Sequence, residues 1–441
     1  MKDSIKQQIL IYVVLFVITS LKLISCKNVE EEKNKLKSLA DDDEIATIIS
    51  DNENELGEAL KVLNEYGGTI YIDTPIINIQ RTLITLSGTQ PGGIIGVRQP
   101  SGEYPRFNFV HFGEDTSSGI VIYSDNNFIE YIIIENSYHY GILIFGNNNI
   151  IDHVISRYNI DSGFLISGDF NTLNYCYSYR NGDTDIFVVD SDGFKIPGEL
   201  NNVFNYCYAW DNSNSGFNYV RTVNSSDLSY VHCGSWNNGN VDVFTGRYDY
   251  DNGNPLDKNL WTIKDIIKSD ENFVSNYYNK QYNINKAKIG YYYVKDWISF
   301  NYPLMDGEGF TFGNVNSSQS IDVKRNSFNN VAFDHKSGGF VDNYIHKYNA
   351  FVTNCVSFNN GINYRFPYYR LSKWANNWSW NSKRDNQINK DAKLKTPSNI
   401  NTAQRQFYSV RDQIIKAVAV NTFPDGVNFD RAINQLKESK E

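Results

Sequence analysis

Apolar and polar positions alternate in short runs along the middle of this chain, and the runs recur. The segments Asn126-Asn-Phe-Ile-Glu-Tyr-Ile132, Asn148-Asn-Ile-Ile-Asp-His-Val154, Phe170-Asn-Thr-Leu-Asn-Tyr-Cys176 and Asn201-Asn-Val-Phe-Asn-Tyr-Cys207 align beneath one another. They share an Asn at 127, 149, 171 and 202, in steps of 22, 22 and 31 residues. Downstream of each shared Asn comes a paired Gly and apolar residue: Gly141-Ile142, Gly163-Phe164, Gly193-Phe194 and Gly216-Phe217. Alternation of period two predicts strands, and the Asn, Gly, Asp and Ser between them predict tight corners. Recurrence near 22 predicts a solenoid of such strands, because one coil cannot bury its own apolar face and must stack on the next. The residues that lengthen the third step belong in a loop on one flank, the side where such a coil usually carries its site.

The pattern changes on either side of these coils. Apolar residues at Leu56, Ala59, Leu60 and Leu63 have helical spacing over Asn54–Tyr66, and Gly67-Gly68 stops the helix. Thr69–Asp73 reads as the first strand, so the helix is expected to cap the open end of the solenoid. Short strands continue over Arg81–Tyr123, with a turn at Gln90-Pro-Gly-Gly93, and the coils run on through Asp227–Cys233. The rhythm is lost over Val241–Tyr302. An insertion at about 245–305 is expected there, with an acidic turn at Tyr248–Pro255 and a helical stretch at Leu260–Asn279. Coils resume at Gly309-Phe310 and continue past Cys355. Gln404–Leu436 again has helical character, broken at Pro424-Asp-Gly426. The predicted layout is a β-solenoid over 51–400 and a helical tail over 401–441.

Composition narrows this to one large solenoid. The 441 residues include 31 Tyr and 26 Phe but only 10 Pro and 2 Met, a supply suited to pleated surfaces. The net charge of −9 argues against a nucleic-acid groove and against binding to an anionic membrane surface. Lys2 and Lys6 precede a mostly apolar run, Ile9–Ile24, too short for a membrane span, so residues 1–26 read as a targeting segment. That run ends Leu23-Ile24-Ser25-Cys26, which looks like a bacterial lipobox and implies an exported chain lipidated at Cys26. Residues 27–50 then read as a charged tether. Cys176 and Cys207 occupy the same place in successive coils, and Cys233 and Cys355 follow similar runs. An inward stack of free thiols is expected rather than a disulfide framework.

Several motifs in the coils resemble the polysaccharide lyase family 9 pectate lyases, right-handed parallel β-helices that cleave polygalacturonate by β-elimination. Asp192-Gly193-Phe194 looks like that family's calcium motif, and Asp211–Asn218 sits where the family has an acidic run. Gly309-Phe-Thr-Phe-Gly313, Phe333–Phe340 and Asn354–Gly361 resemble the segments that follow. The resemblance implies a calcium site at Asp192, Asn214, Ser215 and Asn218, and places the family's catalytic lysine at Thr311. Three of those four ligand positions have lost the family's carboxylates, and Thr311 is no base unless another group activates it. Lys195 and Lys324 are therefore alternative bases, with Arg325 and Lys336 as substrate-binding cations and His335 on the same coils. The expected partner is an acidic polysaccharide met by a monomer.

Two other classes of function compete with a lyase. The chain could bind such a glycan without cleaving it, or form a surface scaffold without a sugar site. Asp249, Asp251 and Asp257, around Gly253, could supply a replacement calcium site, although a solvated turn is the commoner explanation of such a cluster. His111, His139, His153, His232, His335 and His346 are too scattered for a zinc site. The lyase reading requires Asp192, Asn214 and Thr311 to meet in one furrow.

Overall fold

The strands of successive coils pair in parallel and close a three-sided solenoid, a right-handed parallel β-helix. The computed structural model describes residues 46–49, 53–110, 118–182, 191–197, 201–220, 227–239, 248–249, 254–255, 307–313, 324–342, 349–366, 373–388 and 394–395. Each complete coil contributes one strand to each of three sheets, which hold 11, 10 and 9 described strands in chain order around the coil. In one coil, for example, Thr172–Asn174 lies in the first sheet, Tyr177–Tyr179 in the second and Phe194–Ile196 in the third.

The repeated residues face inward. Asn127, Asn149, Asn171 and Asn202 are buried; the side-chain oxygens of the last three each accept the backbone N–H of the Asn one coil earlier, at 2.7–2.8 Å, and that of Asn127 accepts the Gly92 N–H at 3.0 Å. This satisfies the polar backbone where the chain turns and cannot pair within a sheet. A second ladder runs through Asn159, Asn181, Asn212 and Asn238. The paired glycines are there because the coils approach too closely for a side chain: a Cβ at Gly163 would lie 1.9 Å from Ser178 Oγ. After each glycine the inward aromatic stacks on its successor. Phe164, Phe194, Phe217, Phe310 and Phe340 form one file, with ring centroids 4.7–5.0 Å apart. Each fully buried Phe contributes about 1.5–3 kcal/mol of apolar burial.

The four described cysteines are free, buried and inward, matching the expected stack. The N-terminal helix spans Glu53–Tyr66 and buries Leu56, Ala59, Leu60 and Leu63, as its spacing predicts. Gly67, at φ 78°, ends it with an N–H bond to the Leu63 carbonyl. Ala46–Ile49, at the end of the stretch read as a tether, is a strand paired with Thr69–Ile72. Period counting missed it because four residues are too few to show one. Tyr248–Asp249 and Asn254–Pro255 form a short antiparallel pair. The targeting segment 1–26 with Cys26, the helical stretch Leu260–Asn279 and the tail Gln404–Leu436 lie outside the described residues. No helix among the described residues is long and apolar enough to cross a membrane.

Candidate functional site

The outer face of the third sheet brings the predicted site together. Its register aligns Val121, Leu143, Leu165, Lys195 and Asn218 in one outward row. Thr311 follows, its hydroxyl 3.1 Å from Asn218 Oδ1, and the row ends with Val341 and Arg365. Neighbouring strands lie about 4.8 Å apart, so Lys195 is one rung from Asn218 and two from Thr311. Although 93 residues separate Asn218 from Thr311 in sequence, the coil places them in contact.

Asp192 lies at the corner entering this sheet, and its carboxylate is enclosed by donors. Oδ1 accepts the Asn214 side-chain amide and the Ser215 backbone N–H, each at 2.9 Å. Oδ2 accepts the Asn218 amide at 2.9 Å. Thr311 Oγ1 in turn donates to Asn218 Oδ1 and accepts the Tyr219 backbone N–H at 2.7 Å. Asp192, Asn214, Ser215 and Thr311 are all buried. The expected residues therefore do meet, but as a closed hydrogen-bond network.

This network does not fit a calcium ion. Calcium needs several oxygens turned toward one point. Here Asp192 is the single carboxylate, and Asn214, Ser215, Asn218 and Thr311 bring only neutral groups, bonded to it or to one another. Among the described residues, no group of three or more His, Cys, Asp and Glu side chains could hold a metal. In the acidic turn, Asp251 and Asp257 lie outside the described residues.

The remaining candidates separate. Lys195 is half-buried on the outer row beside Asn218. Lys324 is exposed at the start of a first-sheet strand, on another face of the coil. Arg325 is fully enclosed in the core, where its guanidinium lies 4.2 Å over the Tyr219 ring and bonds the Tyr219 hydroxyl at 2.9 Å. It cannot touch a surface polymer, because the strand alternation that exposes Lys324 turns its neighbour inward. His335 takes the place of an Asn in the second ladder, accepting the Asn238 N–H at 3.4 Å. Burial pushes its pKa down to about 3, so it is a neutral core group. Lys336 is buried at the corner before the third sheet. Burial, and then the nearby Lys383, push its ammonium down to about 6.

Sequence reasoning missed Glu308 and the pairing of His139 with Asp161. Glu308 sits one rung beyond Ser215, its carboxylate buried and held by Arg365 at 2.6 Å. The signal was present: Glu308 precedes Gly309-Phe310 as Asp192 precedes Gly193-Phe194. On the earlier coils, His139 Nδ1 lies 3.3 Å from Asp161, and burial outweighs that carboxylate in lowering the imidazole pKa.

Residues 38–256 match the family model described as Pel9A-like, right handed beta helix region. No protein of curated function matches the sequence. Among solved structures, the chain is similar to the pectate lyase Pel9A, at 19% identity and a TM-score of 0.51, covering 77% of this chain and 72% of that one. It is also similar to a rhamnogalacturonan lyase, at 15% identity and a TM-score of 0.50, covering 75% of this chain and 79% of that one. At these identities the likeness is one of fold, a right-handed parallel β-helix.

Proposed function

We propose that the outer face of the third sheet receives an acidic, uronate-bearing glycan and that Lys195 is the base of a β-elimination there. The observation that carries this reading is the alignment of Lys195, Asn218 and Thr311 on one outward row, in a coil similar in fold to two polysaccharide lyases. In the reaction a base takes the proton from C5 of the uronate. The C–H electron pair becomes the C4–C5 double bond, the C4–O4 bond breaks, and the departing oxygen takes up a proton. An amine performs the first step only in its uncharged form, so the rate should rise toward alkaline pH. Since the Asp192 network does not fit calcium, no step is assigned to a metal.

Binding without cleavage is the second reading, favoured by one observation: the Asp192 carboxylate and the Thr311 hydroxyl are both occupied by internal hydrogen bonds. Purified protein is to be incubated with polygalacturonate and other uronans, and the ultraviolet absorbance of the unsaturated product followed. Product that disappears in Lys195→Ala supports elimination. Binding without product on any uronan moves the function to a glycan-binding module, and neither product nor binding leaves a surface scaffold. The same reading has the chain exported and anchored through Cys26, so a metabolically supplied fatty-acid analogue should label wild type and fail on Cys26→Ala.

A further inference from the structure

Toward the N-terminal coils the outer row changes from polar to apolar. Tyr123 and Phe145 are 56% and 46% exposed, beside the part-exposed Val121 and Leu143. Single exposed apolar side chains are ordinary, but adjoining ones mark binding surfaces. The pairing of Ile122 with Ile144 puts Tyr123 and Phe145 on adjacent rungs, where their rings stack 5.4 Å apart and within 10° of parallel. Following the register one rung in each direction gives Ser87 before Tyr123 and Ser167 after Phe145. Neither serine is large enough to cover a ring. The inward aromatic file continues rung after rung, but among the described residues this outer stack stops at two, with no third ring against either end face. Rings stacked across rungs have faces that look along the solenoid axis. The face of Phe145 turned away from Tyr123 therefore looks over Ser167, toward the rungs of Leu165 and Lys195.

We infer that this pair is a sugar-stacking subsite, with the Phe145 face above Ser167 taking the apolar C–H side of a pyranose ring. The inference rests on the proposed reading of the row as a glycan groove. A pyranose carries its hydroxyls around the rim and offers C–H groups on one side, which a flat aromatic covers while the rim stays hydrated. Two inter-strand steps, about 10 Å, separate the Phe145 rung from that of Lys195. A disaccharide bridges that distance, with a stacked ring at one end and a carboxylate-bearing ring at the cation. The subsite itself has no charge to satisfy, so it accepts neutral and acidic pyranoses alike. A second protein copy is a poorer occupant: the two exposed rings offer roughly 200 Å², against about 800 Å² per partner in a standard interface.

The test is calorimetric titration of the full chain with tetragalacturonate and with the neutral cellotetraose, comparing wild type, Phe145→Ala, Phe145→Trp and Lys195→Ala. Because Phe145 is half exposed, its circular dichroism and unfolding midpoint should stay at wild-type values. Phe145→Ala should lose about fivefold or more in affinity for both sugars, and Phe145→Trp should retain it. Lys195→Ala should weaken only the acidic one. Wild-type binding of tetragalacturonate that Phe145→Ala leaves unchanged overturns the subsite and leaves the acidic-glycan reading standing. Binding of the neutral sugar alone, lost in Phe145→Ala, supports the subsite and overturns the acidic reading. No binding of either sugar overturns both, and self-association abolished by Phe145→Ala replaces the subsite with a protein interface.

Discussion

Removing the Asp192 carboxylate tests the closed network directly. Asp192→Ala strands three buried or part-buried donors at once: the side-chain amides of Asn214 and Asn218 and the backbone N–H of Ser215. Each buried donor left without an acceptor costs about 1–3 kcal/mol, so the three together cost about 3–9 kcal/mol. Asn218 keeps its bond from Thr311 and limits the collapse, which places the expected loss near the lower end, about 3–5 kcal/mol. Asp192→Asn keeps the shape but turns one acceptor into a donor facing donors, and should lose about 2 kcal/mol. The assay is urea unfolding followed by circular dichroism, run with added calcium and with a chelator. Wild type should unfold at the same midpoint in both, because N–H groups already serve the carboxylate. A loss below about 0.5 kcal/mol for Asp192→Ala, or a wild-type midpoint raised by calcium, would refute the reasoning.

Four further outcomes are expected. The double variant Asn214→Asp with Asn218→Asp replaces two donors by carboxylates, so its stability should become calcium-dependent, falling in chelator and recovering with the ion; calcium-insensitive unfolding counts against this. Lys336 is held near a pKa of about 6 in the folded chain, against about 10.4 when unfolded. Between those values the unfolded state binds the extra proton, so wild-type stability should rise with pH by up to about 1.4 kcal/mol per unit, and Lys336→Met should lack that slope in urea titrations at successive pH. The buried Glu135 carboxylate is held by Arg157 through Nε at 2.9 Å and Nη2 at 2.8 Å, so Arg157→Met should lose about 3–5 kcal/mol, and Arg157→Met with Glu135→Gln markedly less. The thiols of Cys176, Cys207, Cys233 and Cys355 are buried, and burial pushes Cys355 up to about 11. A thiol-specific chromogenic reagent should therefore modify none of the four in native protein and all of them in urea.

The coil was legible because each rung repeats one environment. The shared Asn, the Gly before an inward aromatic and the equivalent cysteines all answer to the same position in every turn. The meeting of Asp192, Asn218 and Thr311 followed from that alignment. What the alignment could not show was that these neutral side chains would bond to the Asp192 carboxylate and to one another. Lys324 and Arg325 show a second limit: alternation sends neighbours to opposite faces, and their assignment needed the phase of the strand. The corners were a third. Tyr131, His153, Tyr175, Tyr206 and His232 all have positive φ, where Asn or Gly would be expected. Their rings stack in one file with centroids 4.6–4.9 Å apart, and that contact offsets about 1 kcal/mol of strain at each.

The ladder bonds have a consequence for how such a molecule changes over time. Cys233 bonds an Asn 97 residues ahead, with the same geometry that joins asparagines 22 residues apart on the earlier coils. By loop-closure entropy the longer excursion costs only about 1 kcal/mol more. The frame is thus almost indifferent to how much chain leaves and returns between turns. Whole segments can be gained, lost or rewritten beside the furrow without disturbing its alignment, so the chemistry can be replaced while the spiral that carries it persists.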